Sequence, residues 1–161
     1  MNNIVASIED LSPKMQDYLE AISILKKQNE RVRSVDLSTL LKVKRPSVTE
    51  ALGVLSQKGL VVHERYGGVE LTKQGAALAE SVYQRHKTLT RFICEILGVD
   101  SKIASEDACK MEHAMSPKTF GRFYKLIEFM DKKSKNQEPQ WLTHFKTYCK
   151  KGKVISCTKK R

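Results

Sequence analysis

Residues 34–71, with the sequence SVDLSTLLKVKRPSVTEALGVLSQKGLVVHERYGGVEL, decide the fold. The leucines that follow Ser34 have the spacing of a short helix, which this serine can cap. A tight connection at residues 43–45 leads to a second helix, which Pro46 opens and Gly59 ends. The apolar positions predicted for its buried face are Val48, Ala51, Leu52 and Leu55. Two helices joined by so short a turn are typical of a helix-turn-helix.

Two β-prone runs follow the second helix directly. Residues 60–65 and 69–71 carry the valines and leucines of short strands, and the segment Tyr66-Gly67-Gly68 joins them as a hairpin. A hairpin directly after a helix-turn-helix is a wing. Basic residues stand at the start of the second helix and at the hairpin tip. This order of elements predicts a winged helix-turn-helix domain that binds DNA.

Helical patterns flank this motif on both sides, so the fold is predicted to be mostly α. Ser12 and Pro13 form a helix start, and helically spaced apolar residues follow as far as Leu25. Thr72 can cap a long helix that ends near Leu97. Because a small wing domain does not need so long a helix, we expect it to connect to a dimerisation unit. Further helices are predicted over residues 101–114, from Ser116-Pro117 to Met130, and across residues 141–148.

The charge of the 161-residue chain is +11 and is distributed unevenly. Residues 131–161 hold ten Lys/Arg and two Asp/Glu, and residues 26–66 hold nine Lys/Arg and four Asp/Glu. Two basic zones indicate a polyanionic partner such as nucleic acid, although a basic tail can also serve only solubility. The N-terminus has no signal-peptide pattern, and no apolar run reaches the ~18 residues of a membrane span. These features predict a cytoplasmic protein with no membrane partner.

The segment Cys109-Lys110-Met111-Glu112-His113 carries a possible metal site. On a helix, positions i, i+3 and i+4 project from one face, so a thiol, a carboxylate and an imidazole would converge. Such a set can bind a transition metal. The alternative is a polar helix with an incidental cysteine. The four cysteines are too few and too scattered for a disulfide framework, and the spacing of Cys149 and Cys157 is not that of a zinc site.

Taken together, residues 11–130 resemble the diphtheria-toxin-repressor family of metal-dependent transcriptional regulators, including its manganese-transport-regulator branch. The resemblance rests on motifs in a fixed order: Met-Gln-Asp17-Tyr18-Leu-Glu20-Ala-Ile, Arg45-Pro46-Ser47-Val48-Thr49, Gly59-Leu60-Val61, Leu71-Thr72-Lys73-Gln74-Gly75, Arg85-His86 and Ala108-Cys109-Lys-Met-Glu112-His113-Ala-Met-Ser116. It implies a two-domain homodimer that binds a palindromic DNA operator when a divalent metal is present.

The resemblance also implies a ligand set, carried over position by position. Asp17 and Glu20 match carboxylate ligands of the manganese branch, and Cys109 matches a cysteine of the iron branch. The remaining positions match ligands that both branches use: His86, Glu112 and His113. This hybrid set implies Fe(II) or Mn(II) as the cofactor, with Co, Ni or Zn able to bind in vitro. The thiolate favours iron slightly.

Some positions depart from the family pattern. Thr90 and Ser105 stand where the iron branch has the Glu and His ligands of an ancillary metal site, so no ancillary site of that kind is expected. Cys109 also replaces the bridging carboxylate that a two-metal site of the manganese kind needs. The basic segment after Asp131 has no counterpart in the pattern, and the chain stops before the SH3-like third domain of longer members.

Base reading is expected from the start of the second helix of the helix-turn-helix, because Arg can pair with guanine edges and Ser or Thr with bases or phosphates. The residues expected to contact DNA there are Lys44, Arg45, Pro46, Ser47, Thr49 and Glu50. Arg65 at the wing is expected to meet phosphate or the minor groove. The alternative for Ser47 and Thr49 is an ordinary solvated helix turn.

The predicted organisation has three parts. Residues 1–73 form the winged helix-turn-helix domain, residues 74–132 a helical dimerisation and metal-binding domain, and residues 133–161 a basic tail. The predicted function is metal-dependent regulation, most simply repression, of metal-uptake or homeostasis genes. Two other functions use the same residues: a DNA-binding protein that ignores metal, and a metal-dependent enzyme. No separate acid, base or oxyanion group accompanies the ligands, so the protein is predicted not to be an enzyme.

Overall fold

The structure is a computed structural model that describes residue 8 and residues 10–29, 31–63, 68–133 and 138–152. Across these residues the chain forms two strands and a series of helices. Their bounds are α1 Pro13–Gln28, α2 Ser34–Leu40, α3 Arg45–Gln57, β1 Val61–His63, β2 Val69–Leu71, α4 Lys73–Arg91, a π-helical turn Phe92–Ile96, α5 Ser101–Glu112, α6 Pro117–Lys133 and α7 Gln140–Lys151. The mostly helical fold class and the two-stranded wing are therefore confirmed.

The turn between α2 and α3 is held by its own hydrogen bonds. Ser38 donates its hydroxyl to the carbonyl of Val43 at 2.6 Å. Lys42 takes a left-handed backbone with φ of 54°, which reverses the chain within a few residues. One detail of the sequence prediction is wrong, because Ser34 is the first residue of α2 and Arg33 takes the N-cap position. The backbone N–H of Arg33 donates to the Asp36 carboxylate at 2.9 Å.

The wing is a regular antiparallel pair, with Val61 opposite Leu71 and His63 opposite Val69. The sequence pattern did not predict one further contact, a β-bridge from Val32 to Val69. Val32 lies between α1 and α2, so the bridge ties the wing to the start of the helix-turn-helix. The hairpin tip, which includes Arg65, lies outside the described residues.

The chain divides into two compact units, residues 1–85 and 86–161, so the division falls within α4. The sequence places the domain boundary earlier, after residue 73. The difference arises because Leu78 and Ala79 of α4 belong to the first core, which they share with apolar residues of α1 and α3. The first unit also buries the amide of Gln16. It donates to the carbonyls of Ile8 and Leu11 at 3.0 and 2.9 Å, and so fixes the segment before α1.

The second unit contains two apolar clusters. The first is centred on Leu89, Ile93, Ala104 and Ala108. The second joins Leu142 of α7 to residues of the π-helical turn and α6: Ile96, Ile127 and Met130. Although the sequence treats residues 133–161 as a tail, α7 packs into the core of this unit. The sequence pattern predicts a helix here, and a few apolar residues on one helical face are enough to fix it despite the basic composition of the segment.

A bidentate ion pair supports the same part of the second unit. Arg91 donates to both oxygens of Asp131, at 2.8 and 3.1 Å, and also to Glu95. These hydrogen bonds raise the pKa of Arg91 further above its ordinary value and lower the pKa of Asp131. The pair therefore fixes the start of the π-helical turn to the end of α6. No helix among the described residues is long and apolar enough to cross a membrane.

The junction between α3, the wing and α4 is closely packed. Thr72 donates its hydroxyl to the carbonyl of Gly59 at 2.8 Å and accepts the N–H of Gly75 at 3.1 Å, so it caps α4 as the sequence predicts. The α carbon of Gly75 lies so close to Leu60 that an added Cβ would stand 1.9 Å from its carbonyl oxygen. Only glycine fits at this position.

We expect Gly75→Ala to lower the free energy of unfolding by about 3 kcal/mol, because the clash is with backbone that cannot rotate away. Gly53→Ala is the matched control, since an added Cβ there meets nothing within 4 Å. Alanine at an open helical position should stabilise by about 0.5–1 kcal/mol. Chemical denaturation of both variants measures the difference. Equal stabilities would contradict the close approach at Leu60.

Candidate metal centre and nucleic-acid interface

Helix α5 presents the predicted triad near its C-terminal end. Cys109 and Glu112 lie three residues apart within the helix, and His113 occupies the C-cap position directly after it. Cys109 is exposed, whereas the Glu112 side chain is only 1% exposed and that of His113 10%. A sulfur, a carboxylate oxygen and an imidazole nitrogen from these residues lie within 4.8 Å of one another. The structure therefore brings the three side chains together, as the helical spacing predicts.

The carboxylate of Glu112 lies between two imidazole rings. Its Oε2 is 3.1 Å from Nδ1 of His86, which α4 contributes, and its Oε1 is 3.3 Å from Nε2 of His113. A buried carboxylate is costly unless polar or cationic partners replace its lost water. Here two ring nitrogens lie close to its oxygens, and such nitrogens are common metal ligands. His86 is predicted as a ligand although it lies far from α5 in the sequence. The structure brings it into contact with Glu112 of α5.

These side chains fit a divalent transition metal. Imidazole suits iron, zinc, copper and nickel, a carboxylate suits manganese as well, and a thiolate adds a soft donor. The buried carboxylate flanked by two imidazole nitrogens is the observation that supports the fit. A bound metal would supply positive charge beside the Glu112 carboxylate. His86, Cys109, Glu112 and His113 are the residues of the second unit that could hold it.

The other two predicted ligands lie in the first unit. Asp17 and Glu20 are both half-buried residues of α1. Because they are three positions apart, their carboxylates project from one face of that helix. Their assignment as ligands remains a prediction.

The structure adds one residue that the ligand prediction did not include. The hydroxyl oxygen of Ser105 on α5 lies 3.2 Å from Nε2 of His86. A sequence signal existed, since Ser105, Cys109 and Glu112 occur at positions i, i+4 and i+7 of one helix. A lone serine with this spacing is common on solvated faces, so the pattern alone could not assign it. Only the packing of α5 against the end of α4 shows the contact.

Most of the predicted DNA-reading residues lie together on the first turns of α3. Lys44, Arg45 and Glu50 are exposed, and the neighbouring Val48 is fully buried. Thr49 is exposed as well, but it donates its hydroxyl to the Arg45 carbonyl at 3.2 Å. Pro46 is exposed and Ser47 is half-buried. The start of the helix therefore presents an exposed polar and basic edge, while its other face is fixed in the core.

The core beneath this edge includes Tyr18 of α1, which is 1% exposed. Burial, and then the negative charge of Glu50, raise the pKa of its phenol. The ring thus stays neutral at physiological pH and acts as packing behind the recognition helix. The inner face of α3 is thus packed against the core, which suits base reading by its outer edge.

Comparison with known proteins agrees with both halves of this description. Residues 10–69 match the model of the iron-dependent repressor N-terminal DNA-binding domain. Residues 72–141 match that of the iron-dependent repressor metal-binding and dimerisation domain. The chain belongs to the iron-dependent repressor family. This family, of the diphtheria-toxin-repressor and MntR type, consists of metal-dependent DNA-binding transcriptional regulators and not of enzymes.

Relatives of this regulator match about three quarters of the chain. The chain is 40% identical over 124 residues to an HTH-type transcriptional regulator of Methanocaldococcus jannaschii, and the match covers 76% of this chain and 99% of the relative. The chain is also 32% identical over 120 residues to the HTH-type transcriptional regulator MntR of Lysinibacillus sphaericus, and this match covers 74% of this chain and 86% of the relative. The resemblance stated from the sequence motifs is therefore confirmed.

Solved structures resemble the fold of this regulator as well. The manganese regulator SloR has a TM-score of 0.65 and 28% identity, covering 74% of this chain. A manganese-dependent transcriptional repressor in complex with manganese has a TM-score of 0.66 and 28% identity, covering 71%. The chain spans about half the length of these two proteins, 55% and 53%.

Replacing the central carboxylate of this regulator tests the candidate centre. Even loss of a residue that only supports a ligand typically weakens metal binding about 10–100-fold. We therefore expect Glu112→Gln, which keeps the shape and removes the charge, to weaken binding more than about 100-fold. Glu106→Gln, on an exposed position of the same helix, is the control. Competition with a chromophoric chelator measures both affinities, and similar values for the two variants would argue against Glu112 as a ligand.

Proposed function

We propose that this regulator senses Fe(II) or Mn(II), forms a homodimer and represses metal-uptake or homeostasis genes at a palindromic operator. The observation that carries the proposal is the buried Glu112 carboxylate between His86 and His113, with the Cys109 thiol beside it. The family-model matches support DNA binding, metal binding and dimerisation, since they describe domains with those properties. SloR and the manganese-dependent repressor are named for manganese, and those names apply to those proteins alone.

The proposed ligand set has six residues: Asp17, Glu20, His86, Cys109, Glu112 and His113. Two imidazoles, three carboxylates and one thiolate would offer nitrogen, oxygen and sulfur donors to a divalent transition metal. Asp17 and Glu20 belong to the unit that carries the recognition helix. A metal that took ligands from both units would restrict how the reading head can move. Metal that binds one arrangement better shifts the population towards it.

The proposed preference between metals depends on Cys109. Thiolate ligands favour iron, cobalt or zinc, whereas a site of carboxylates and imidazoles suits manganese. Manganese stands at the weak end of the natural affinity order, so a manganese sensor must exclude competitors by its geometry or rely on metal availability. A soft ligand works against that exclusion. We therefore favour Fe(II) as the physiological metal, with Mn(II) second.

The proposed operator follows from the symmetry of a dimer. Two recognition helices about 34 Å apart can enter successive major grooves on one face of the duplex, and the target is then a palindrome. Lys44, Arg45, Ser47, Thr49 and Glu50 are proposed to meet DNA from the exposed edge of α3, with Pro46 setting the helix start. Arg65 is proposed to contact phosphate or the minor groove from the wing.

Operator binding with and without a chelator tests this proposal against the alternative, a winged-helix protein that ignores metal. Under anaerobic, reducing conditions, operator affinity should rise on titration with Fe(II) or Mn(II) and fall when chelator is added. Affinity that is equal in both conditions would support the alternative.

Base reading by α3 can be separated from simple attraction to phosphate. We expect Arg45→Ala to weaken operator binding more than binding to random DNA, because a good base contact is worth about 1–3 kcal/mol of discrimination. Lys58→Ala, an exposed lysine at the other end of α3, is the control. Fluorescence anisotropy on both DNAs measures the ratio. An equal loss on the two DNAs would mean that Arg45 contacts only phosphate.

Metal choice can be tested at Cys109. Cys109→Glu restores the carboxylate of the manganese branch, so we expect it to shift activation of DNA binding towards Mn(II). Cobalt-loaded wild-type protein should show a sulfur-to-cobalt charge-transfer band in the near ultraviolet, which Cys109→Ser should remove. Cys149→Ser, at an exposed cysteine of α7, should keep the band.

Two results would count against Cys109 as a ligand. One is cobalt-loaded wild-type protein without the band, and the other is a Cys109→Glu variant with an unchanged metal preference. If both occur, the proposed preference for iron is wrong, whereas neither result bears on the other five proposed ligands.

A further inference from the structure

Ser105 contacts a proposed metal ligand but is not itself part of the ligand set. Its Oγ lies 3.2 Å from Nε2 of His86. It is half-buried on α5, one turn before Cys109. A serine inside a helix often bonds back to the carbonyl four residues earlier. Here its hydroxyl instead lies within hydrogen-bond distance of an imidazole from α4.

The two ring nitrogens of His86 face different groups. Nδ1 lies 3.1 Å from Oε2 of Glu112, and the other oxygen of Glu112 lies 3.3 Å from Nε2 of His113. The Glu112 carboxylate, which the candidate centre contains, therefore lies on the Nδ1 side of the ring, and Nε2 is directed towards Ser105. A metal held by Glu112 and both histidines would meet His86 at Nδ1.

We propose that Ser105 is a positioning residue for His86. It holds the ring so that Nδ1 is the metal-binding nitrogen and Nε2–H donates to the Ser105 hydroxyl. This inference rests on the proposed function, since it assigns the geometry of one proposed ligand. Histidine ligands generally donate the second ring N–H to a nearby acceptor, and that bond fixes the tautomer and orientation of the ring.

A hydroxyl suits this position because it can donate or accept. In the tautomer with the ring proton on Nδ1, His86 donates to the Glu112 carboxylate and Nε2 accepts the Ser105 O–H. When Nδ1 is a ligand, the ring proton lies on Nε2 and the Ser105 oxygen accepts it. Ser105 thus keeps one hydrogen bond to His86 in both tautomers. A carboxylate at this position could only accept a hydrogen bond, so it could pair only with the tautomer that carries the proton on Nε2.

Thr90 provides a matched comparison. It lies one turn after His86 on the same helix, and its buried hydroxyl oxygen has no hydrogen-bond partner within the described part of the chain. Thr90→Val removes that hydroxyl and keeps the side-chain shape. It should therefore leave the tautomer of His86 and the metal affinity as they are in the wild type.

The experiment combines affinity with spectroscopy on the full chain. Zinc affinity is measured by chelator competition for the wild type, Ser105→Ala, Ser105→Thr and Thr90→Val. Imidazole nitrogen-15 spectra are recorded for the metal-free and zinc-loaded forms, because zinc is diamagnetic. In zinc-loaded wild type we expect His86 with Nδ1 bound to metal and a proton on Nε2 that exchanges slowly with water.

Ser105→Ala should weaken zinc binding about 10-fold or more and speed the exchange of that proton, because its acceptor is lost. Ser105→Thr keeps the hydroxyl and should restore both properties. The inference is overturned if Ser105→Ala binds zinc as tightly as Thr90→Val, with unchanged proton exchange. It is also overturned if zinc-loaded wild type shows Nε2 bound to metal, a test that needs no variant to fold.

Failure of the proposed function gives a different result. If zinc leaves both ring nitrogens of His86 unperturbed in the wild type, His86 is not a ligand, and the inference about Ser105 fails with it. A metal-perturbed His86 that does not respond to Ser105 overturns only the inference.

Discussion

The second unit depends on how it accommodates one buried carboxylate. Glu112 is almost completely removed from water, and two imidazole nitrogens lie within 3.3 Å of its oxygens. An isolated charge in such a place would be strongly unfavourable, so its partners must remain in position. That requirement fixes the end of α5 against the last turns of α4. The polar centre and the apolar cluster of Leu89 and Ala108 therefore stabilise the same helix pair.

The first unit depends on close backbone contact instead of polar burial. Gly75 lets α4 approach the carbonyl of Leu60, and the Thr72 hydroxyl links the end of α3 to the start of α4. The Val32–Val69 bridge fixes the wing to the other end of the helix-turn-helix. These links make the recognition helix and the wing parts of one rigid reading head. Base recognition benefits because little order has to be gained on binding DNA.

The second unit extends beyond the residues that the family model matches, which end at residue 141. Helix α7 adds Leu142 and Phe145 to the cluster around Ile127, and the Arg91–Asp131 pair supports the α6 end of the same region. Basic residues of α7 and apolar packing thus occur on one helix. The segment contributes to the stability of the unit, whatever its charge contributes to DNA binding.

The sequence alone determined the order of elements and several of their ends. Pro13 at the first helical position, the Thr72 cap, and the left-handed Gly59 and Gly98 mark these ends, and such signals depend on neighbouring residues only. It also determined that Cys109, Glu112 and His113 converge, because helical spacing fixes which side chains share a face. Contacts between distant elements have no such local rule. The wing bridge to Val32, the packing of Leu142 and the pairing of Ser105 with His86 were decided only when the tertiary structure brought separate helices and strands together.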